Sequence, residues 1–334
     1  MHNYQRSARI VFPELPQDLG ELDLAELWDY HQKGLAHLRQ AKSISKGLSE
    51  VSTVQAVNLL QIKQALAERH VSHCDFCIHH CRVDRHDGEM GYCQLSAVSP
   101  YSGAYIHWGE EAPIRPTWAV FLGGCTMHCT YCHNWRDTFD TRQQALFTPT
   151  VMLQALRAHA GEYRTLSFIG GTPEPHLHTL IDCAVALNAA PELAAPLVFN
   201  SNATLSAVGL DLMEGVVDVY LPDYKHGNDR CAWNLTKISH YQETLQTNLR
   251  RYRSQQAGML VRHLVLPEHL DCCTRPVLET LARDYPDVVV NVMLTYQPMY
   301  KAESMSQIDR TLRPSEKEKV RSWIEELQLK QLPF

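Results

Sequence analysis

Seven of the eleven cysteines fall within residues 74–132, and their spacing is the strongest chemical signal in the chain. The run GGCTMHCTYCHNW (123–135) places Cys125, Cys129 and Cys132 in a C-x3-C-x2-C pattern directly after an apolar run. Three thiolates in one short loop can converge on a single inorganic centre. Structural zinc takes four protein ligands, so a zinc reading needs His128 or His133 as the fourth. An iron–sulfur cubane is usually held by four thiolates. Three therefore leave one iron open, and an open iron can bind a small molecule.

A second set, Cys74, Cys77, Cys81 and Cys93, offers four thiolates in a C-x2-C-x3-C-x11-C pattern. Closed four-thiolate coordination suits structural zinc or a second, auxiliary iron–sulfur cluster, and spacing does not choose between them. Without a metal, thiols this close would be prone to oxidation. His73, His79, His80 and His86 are spare ligands, read here as supporting or surface residues. Cys183, Cys231, Cys272 and Cys273 are scattered and read as small buried residues.

These groups need a scaffold. The 334 residues are 45% hydrophobic and 20% charged, enough for a sizeable core and too apolar for general disorder. The formal charge of −6 disfavours a nucleic-acid partner. No apolar run is long enough to span a membrane, and the first residues lack a secretory apolar segment, so a cytoplasmic protein with reduced cysteines is expected. Residues 1–70 read as a helical extension, with Leu24, Leu27, Trp28, His31, Leu35 and Leu38 on one face and a second helix over about 51–69. Residues 71–115 read as a Cys-rich metal-binding segment that needs a metal to hold it together.

From 116 to 334 strands and helices alternate. Apolar runs at 117–123, 165–170, 196–202, 216–223, 259–267 and 288–296 are separated by helical patterns at 149–160, 176–189, 205–213, 239–256 and 274–284. Thr148-Pro149, Ser239 with Gln242, and Ser315 with Glu318 read as helix starts. Six strand–helix units in series imply an α/β fold with a parallel sheet and right-handed crossovers. Six fall short of the eight in a closed barrel, so the expected architecture is a partial (β/α)6 TIM-like barrel. Cys125, Gly170-Gly171, Asn202, Asp223 with Lys225, and Tyr296-Gln297 then follow different strands, at the face where such barrels build their sites.

The C-x3-C-x2-C pattern with Tyr131 before the last cysteine resembles the radical S-adenosylmethionine (SAM) superfamily. The longer run from Gly124 to Asn134, followed by Arg136-Asp137-Thr138, resembles pyruvate formate-lyase activating enzymes. CDFCIHHC…GEMGYC (74–93), GGTPEPHL (170–177), NSN (200–202), DVYLPDYK (218–225) and RHLVLP (262–267) are similar to an activating-enzyme-like branch. The resemblance spans about residues 74–330. It implies a [4Fe–4S] cluster on Cys125, Cys129 and Cys132, with SAM chelated to the open iron. Reductive cleavage would then yield methionine and a 5′-deoxyadenosyl radical for hydrogen abstraction, with no protein acid or base named for that step.

For SAM, the resemblance implies the amino group at Gly170, Gly171 and Thr172, and the carboxylate at Lys225 beside Asp223. It also implies Asn202 near the ribose, Tyr131 near the adenine, and a contact from Gln297. Each has a plainer reading: Gly170-Gly171 as a tight turn, Asn202 as a helix cap, Asp223 and Lys225 as a solvated pair, Tyr131 as packing, His263 as a core histidine. GGTPE departs from the superfamily's commoner GGE, leaving Glu174 without its usual part. Implied partners are an electron donor of flavodoxin or ferredoxin type and a protein or peptide substrate. Activation of a glycyl-radical enzyme is one reading. Modification of another peptide or a metabolite, or a non-catalytic metal scaffold, are the others.

Overall fold

The computed structural model describes residues 1–40 and 56–333. The first part of the second expected helix, residues 51–55, lies outside them. The extension forms α1 (Asn3–Ser7), β1 (Val11–Phe12), α2 (Leu24–Gln40), β2 (Val57–Asn58) and α3 (Leu59–Val71). Leu27, His31, Leu35 and Leu38 of α2 are buried, as their spacing required.

The Cys-rich segment follows and ends in a strand that its composition did not announce, β3 (Pro100–His107). Then come β4 (Thr117–Leu122), α4 (Trp135–Phe139), β5 (Ala145–Leu146), α5 (Pro149–Ala158), β6 (Thr165–Gly170) and α6 (Leu177–Ala189). The chain continues through β7 (Leu197–Ser201), α7 (Ala207–Met213), β8 (Val219–Pro222), α8 (Asp229–Thr236), α9 (Tyr241–Ser254) and β9 (Gly258–Leu264). It closes with α10 (Arg275–Asp284), β10 (Val289–Met293), α11 (Pro314–Glu326) and β11 (Lys330–Gln331).

The sheet order is β11-β10-β9-β8-β7-β6-β4-β3-β5. The six expected strands β4, β6, β7, β8, β9 and β10 are parallel and adjacent in chain order, which is the partial (β/α)6 arrangement. β3 adds an antiparallel edge against β4. Parallel strands covered by helices read as near-continuous apolar runs, and β4 and β6 are buried along almost their whole length. The loop between β3 and β4 turns into the sheet, where Ile114 packs on Val198, Leu221 and Leu260.

Thr148 caps α5 as expected, accepting from the Val151 N–H at 3.3 Å. The other two helix starts differ. Pro314 starts α11 one residue before Ser315, and Glu316 rather than Glu318 accepts from the Arg313 N–H. At α9 the N-cap residue is His240, not Ser239, and the Gln242 N–H is taken by Asp229 of α8. At α9 a neighbouring carboxylate replaces the serine as acceptor; at α11 the earlier start puts Ser315 inside the first turn.

The extension docks through α3 on α6 and α7. At that seam Lys63 is fully buried, with its Nζ 2.8 Å from His31 Nε2 and 2.9 Å from the Asp211 carbonyl. Burial drives the Lys63 pKa down to about 7, against the pull of Glu214 and Asp211. Arg39 and Arg251 occupy both of these carboxylates at the same seam. Burial also holds His31 well below its usual range. The folded-state value lies below the unfolded one, so between about pH 7 and pH 10 the unfolded chain holds a proton that the folded chain has lost. Stability from this group therefore rises with pH across that window. Lys63→Met should remove the slope: its unfolding free energy relative to wild type should fall by a few kcal/mol, on the order of 3–5, from pH 7 to pH 10 in urea melts.

Candidate radical SAM site

β4 delivers the chain to Gly123-Gly124 and then to Cys125, with Gly124 at φ +71° and its N–H on the Thr138 carbonyl at 2.8 Å. β6 ends beside it at Gly170-Gly171. A Cβ on Gly171 would sit 1.8 Å from the Gly124 carbonyl oxygen, and one on Gly170 would sit 2.2 Å from the Leu122 oxygen. Gly170 also has φ +113°. The two glycines are thus demanded by backbone-on-backbone contact, Gly170 with the end of β4 and Gly171 with the start of the cysteine loop, which is more than a turn requires.

The Cys125 sulfur accepts from the Met127 N–H at 3.3 Å and the Asn202 side-chain amide at 3.2 Å, and lies 3.4 Å from the Gly171 carbonyl. Asn202 does not cap α7; Ser206 does, accepting from Gly209 N–H. Burial pushes all three thiols of the trio up, Cys129 to about 12, where the charge of Lys225 partly opposes the rise. A bound cation centre would supply the missing positive charge and hold them as thiolates. The loop is tethered from below: the His128 and Thr130 N–H groups donate to the Thr236 and Leu235 carbonyls at the end of α8.

Neither histidine completes a zinc site with the trio. His133 Nε2 lies 3.1 Å from the Gln297 carbonyl, and His128 is stacked on Tyr92. Thiolates on one zinc sit ~3.8 Å apart, given Zn–S of about 2.3 Å and tetrahedral geometry. Among the described residues, the only set of three or more ligating side chains with all donor atoms within 4.8 Å of one another is Cys231, Cys272 and Cys273. The sulfurs of Cys125, Cys129 and Cys132 are not such a set.

Lys225 is paired with Asp223 at 2.5 Å, both largely shielded from solvent, and its backbone N–H donates to Tyr241 Oη. Tyr131 is buried, with its hydroxyl 3.3 Å from His226 Nε2 and its ring edge-on to Tyr296 at 6.4 Å. Thr172 bonds the buried Glu174, which also accepts from the Thr204 N–H and hydroxyl. That carboxylate is consumed in tying β6 to the segment after β7, and burial raises its pKa. His263 bridges the Tyr224 carbonyl and Thr274 Oγ1, and burial lowers it to about 4, as a core histidine. Gln297 is exposed and meets the site only through its carbonyl.

Gly170, Gly171, Thr172, Asn202 and Asp223 line a cavity of about 510 Å³ inside the strand ends. Its far wall contains residues the sequence reading did not single out. Arg262 of β9 makes a bidentate contact with Glu111 at 2.5 and 2.6 Å and also holds Glu110; Asn291 of β10 donates to Glu111 at 2.8 Å. Burial pushes Glu110 up. At Glu111 burial acts the same way but is outweighed by Arg262, so it stays below the usual range. An arginine within the apolar run MLVRHLVLP was the available signal. Arg262→Met should strand two buried carboxylates and destabilise by roughly 3–5 kcal/mol at neutral pH. Their folded pKa values would then exceed the unfolded ones, so the deficit against wild type should shrink between pH 7 and pH 5 in thermal melts. A larger cavity of about 760 Å³ lies beside β3 and is lined by none of the cysteines.

The four-cysteine segment packs directly on this site. Ile78 N–H donates to the Thr204 carbonyl, and Tyr92 stacks between His79 and His128 at 3.7 and 4.3 Å. Arg85 is fully buried and has no carboxylate partner among the described residues; its guanidinium donates to the Pro175 and Ser96 carbonyls and reaches Cys74 Sγ at 3.8 Å. A buried cation facing thiols fits an anionic, thiolate-ligated metal.

The sequence profile of the Radical SAM superfamily matches residues 120–281. An uncharacterized protein of Methanocaldococcus jannaschii, MJ0674, is 33% identical over 306 residues, which is 89% of this chain and 86% of the relative. A radical SAM methyltransferase structure from Sphaerobacter thermophilus aligns over 95% of this chain and 94% of its own, with 10% identity and a TM-score of 0.47. Streptococcus suis SuiB, bound to its precursor peptide SuiA, aligns over 62% of this chain with 11% identity and a TM-score of 0.45. This chain spans 46% of SuiB's length. Residues 120–281 belong to the radical SAM superfamily, and the chain carries the C-x3-C-x2-C motif and a partial (β/α)6 barrel. No helix among the described residues is long and apolar enough to cross a membrane.

Proposed function

We propose that this protein is a radical SAM enzyme that abstracts hydrogen from a peptide or small-molecule substrate presented at the strand ends. A [4Fe–4S] cluster on Cys125, Cys129 and Cys132 supplies reductive cleavage of SAM to methionine and a 5′-deoxyadenosyl radical. One observation carries the reading: Asn202 and Gly171 touch Cys125 and also line the 510 Å³ cavity, so a ligand-sized space lies next to the residues in contact with that cysteine.

The chain's own residues bind and orient. The backbone edge at Gly170-Gly171, with Thr172, suits an ammonium group. Lys225, held by Asp223, suits a carboxylate. Asn202 and Tyr131 flank the loop where a nucleoside would lie, and Gln297 is kept as an outer contact. The polar wall of Arg262, Glu110, Glu111 and Asn291 supports a polar substrate group. For Cys74, Cys77, Cys81 and Cys93, four thiolates suit either zinc or a second iron–sulfur cluster. The stack of His79, Tyr92 and His128 supports electron passage from a flavodoxin- or ferredoxin-type donor.

The likeness of residues 124–138 to activating enzymes supports a narrower reading, with a glycine of a partner protein as substrate. Anaerobically reconstituted, reduced protein should convert SAM to 5′-deoxyadenosine; no product would end the proposal. A glycine-centred radical signal with a candidate partner would select the narrower reading, and deuterium transfer from a free peptide or metabolite the broader one.

A further inference from the structure

Cys231 and the pair Cys272-Cys273 are 41 and 42 residues apart in sequence, yet their sulfurs meet. Cys231 lies in the first turn of α8, which leaves the loop after β8. Cys272 and Cys273 lie in a single π-helical turn, Leu270–Thr274, after β9. The sulfurs of Cys231 and Cys272 are 3.7 Å apart, those of Cys272 and Cys273 are 4.0 Å apart, and all three lie within 4.8 Å of one another. No other set of three or more ligating side chains among the described residues is this tight.

The surroundings hold this spacing from both sides. A Cβ on Gly227 would lie 2.7 Å from the Cys273 carbonyl oxygen and 2.8 Å from its Cα, so only glycine lets the two loops approach so closely. Asn228 uses both ends of its amide. Its oxygen caps α8 by accepting from the Cys231 N–H at 2.9 Å, and its nitrogen donates to the Cys272 carbonyl at 2.7 Å and reaches Cys273 Sγ at 4.0 Å. His263 links the same two loops through Tyr224 and Thr274. π-Turns concentrate at functional positions because they re-aim side chains out of α-helical register. Here the turn brings two successive cysteines towards one point.

We propose that Cys231, Cys272 and Cys273 bind one zinc ion, separate from both sequence-evident cysteine sets. Thiolates on a single tetrahedral zinc sit ~3.8 Å apart, close to the 3.7 and 4.0 Å of the two pairs that Cys272 makes. Soft thiolates select zinc among the common divalent ions. Each coordinating thiol releases its proton to solvent as the ion binds. Cys231 and Cys273 are buried and Cys272 is partly exposed, so a water on the Cys272 side completes the coordination. The ion would clamp α8 to the turn after β9. The other end of α8 holds the His128 and Thr130 N–H groups, so the clamp would also steady the loop bearing Cys129. The proposal does not depend on SAM cleavage, because its readout is metal content.

The full chain, prepared anaerobically with zinc and iron and dialysed against a competing chelator, should hold about one zinc more per chain than Cys272→Ser or the triple Cys231/272/273→Ser variant. Iron content and cluster absorbance should be the same in all three. Cobalt substitution should give a thiolate charge-transfer band in wild type that Cys272→Ser lacks. Cys272 is the most accessible of the three, so this variant keeps the test decisive if the triple variant fails to fold. Equal zinc and no cobalt band difference would overturn the site, as would a Cys231–Cys272 disulfide in wild type alkylated without air.

Discussion

Alanine at Cys125, Cys129 and Cys132 together should remove about four irons per chain and reduce 5′-deoxyadenosine formation to background. These thiols carry the superfamily spacing, and Asn202 and Gly171, which touch Cys125, line the 510 Å³ cavity. The fold should survive. The loop is fixed mainly by backbone bonds, from Gly124 to Thr138 and from His128 and Thr130 to the end of α8, and alanine leaves these in place. Circular dichroism should therefore change little while iron analysis changes by a whole cluster. If Cys74, Cys77, Cys81 and Cys93 hold a second cluster, about four irons should remain. Full iron retention in the variant would disprove the assignment of the trio.

The second large effect comes from a residue with no side chain. Gly171→Ala should depress SAM cleavage ~100-fold or more, since a displacement near 1 Å in such a site costs about that much. The added methyl would stand 1.8 Å from the Gly124 carbonyl and 3.0 Å from Thr138 Cγ2. The first contact is backbone, so no rotamer change relieves it, and the cysteine loop must move. Gly161→Ala is the matched control. Gly161 has φ +85° with nothing within 4 Å of a new Cβ, so alanine there brings backbone strain of about 1 kcal/mol and no clash. It should lower the melting temperature slightly and leave cleavage unchanged. Equal activity in Gly171→Ala and wild type would show that the β6 edge does not govern the loop.

The strand signals and the cysteine spacing were legible because one short segment carries each of them. C-x3-C-x2-C is a property of eight residues, and the apolar runs that became β4, β6, β7, β8, β9 and β10 announce themselves because strands buried on both faces have little polar content. Those runs in series also implied the parallel order, since right-handed crossovers leave few alternatives. β3 was not legible: it lies inside a segment dominated by cysteines, and its half-exposed pattern carries no continuous apolar run. The Ser239 cap failed because Asp229 of another helix took the Gln242 N–H that the serine was expected to hold, and the Ser315 cap because α11 starts at Pro314, which leaves Arg313 as N-cap with its N–H on Glu316.

Sequence alone thus determined the cysteine spacing, the α/β class and the strand ends on which the candidate residues fall. Tertiary structure decided which distant residues meet. Arg262 finds Glu110 and Glu111 about 150 residues away, Asn202 turns from a helix cap to a donor on Cys125, and Cys231 closes on Cys272 and Cys273. The physical reason is that hydrogen bonds, ion pairs and thiol contacts act over a few ångströms. Spacing along the chain encodes such distances only within one loop or helix turn; beyond that, backbone packing sets them.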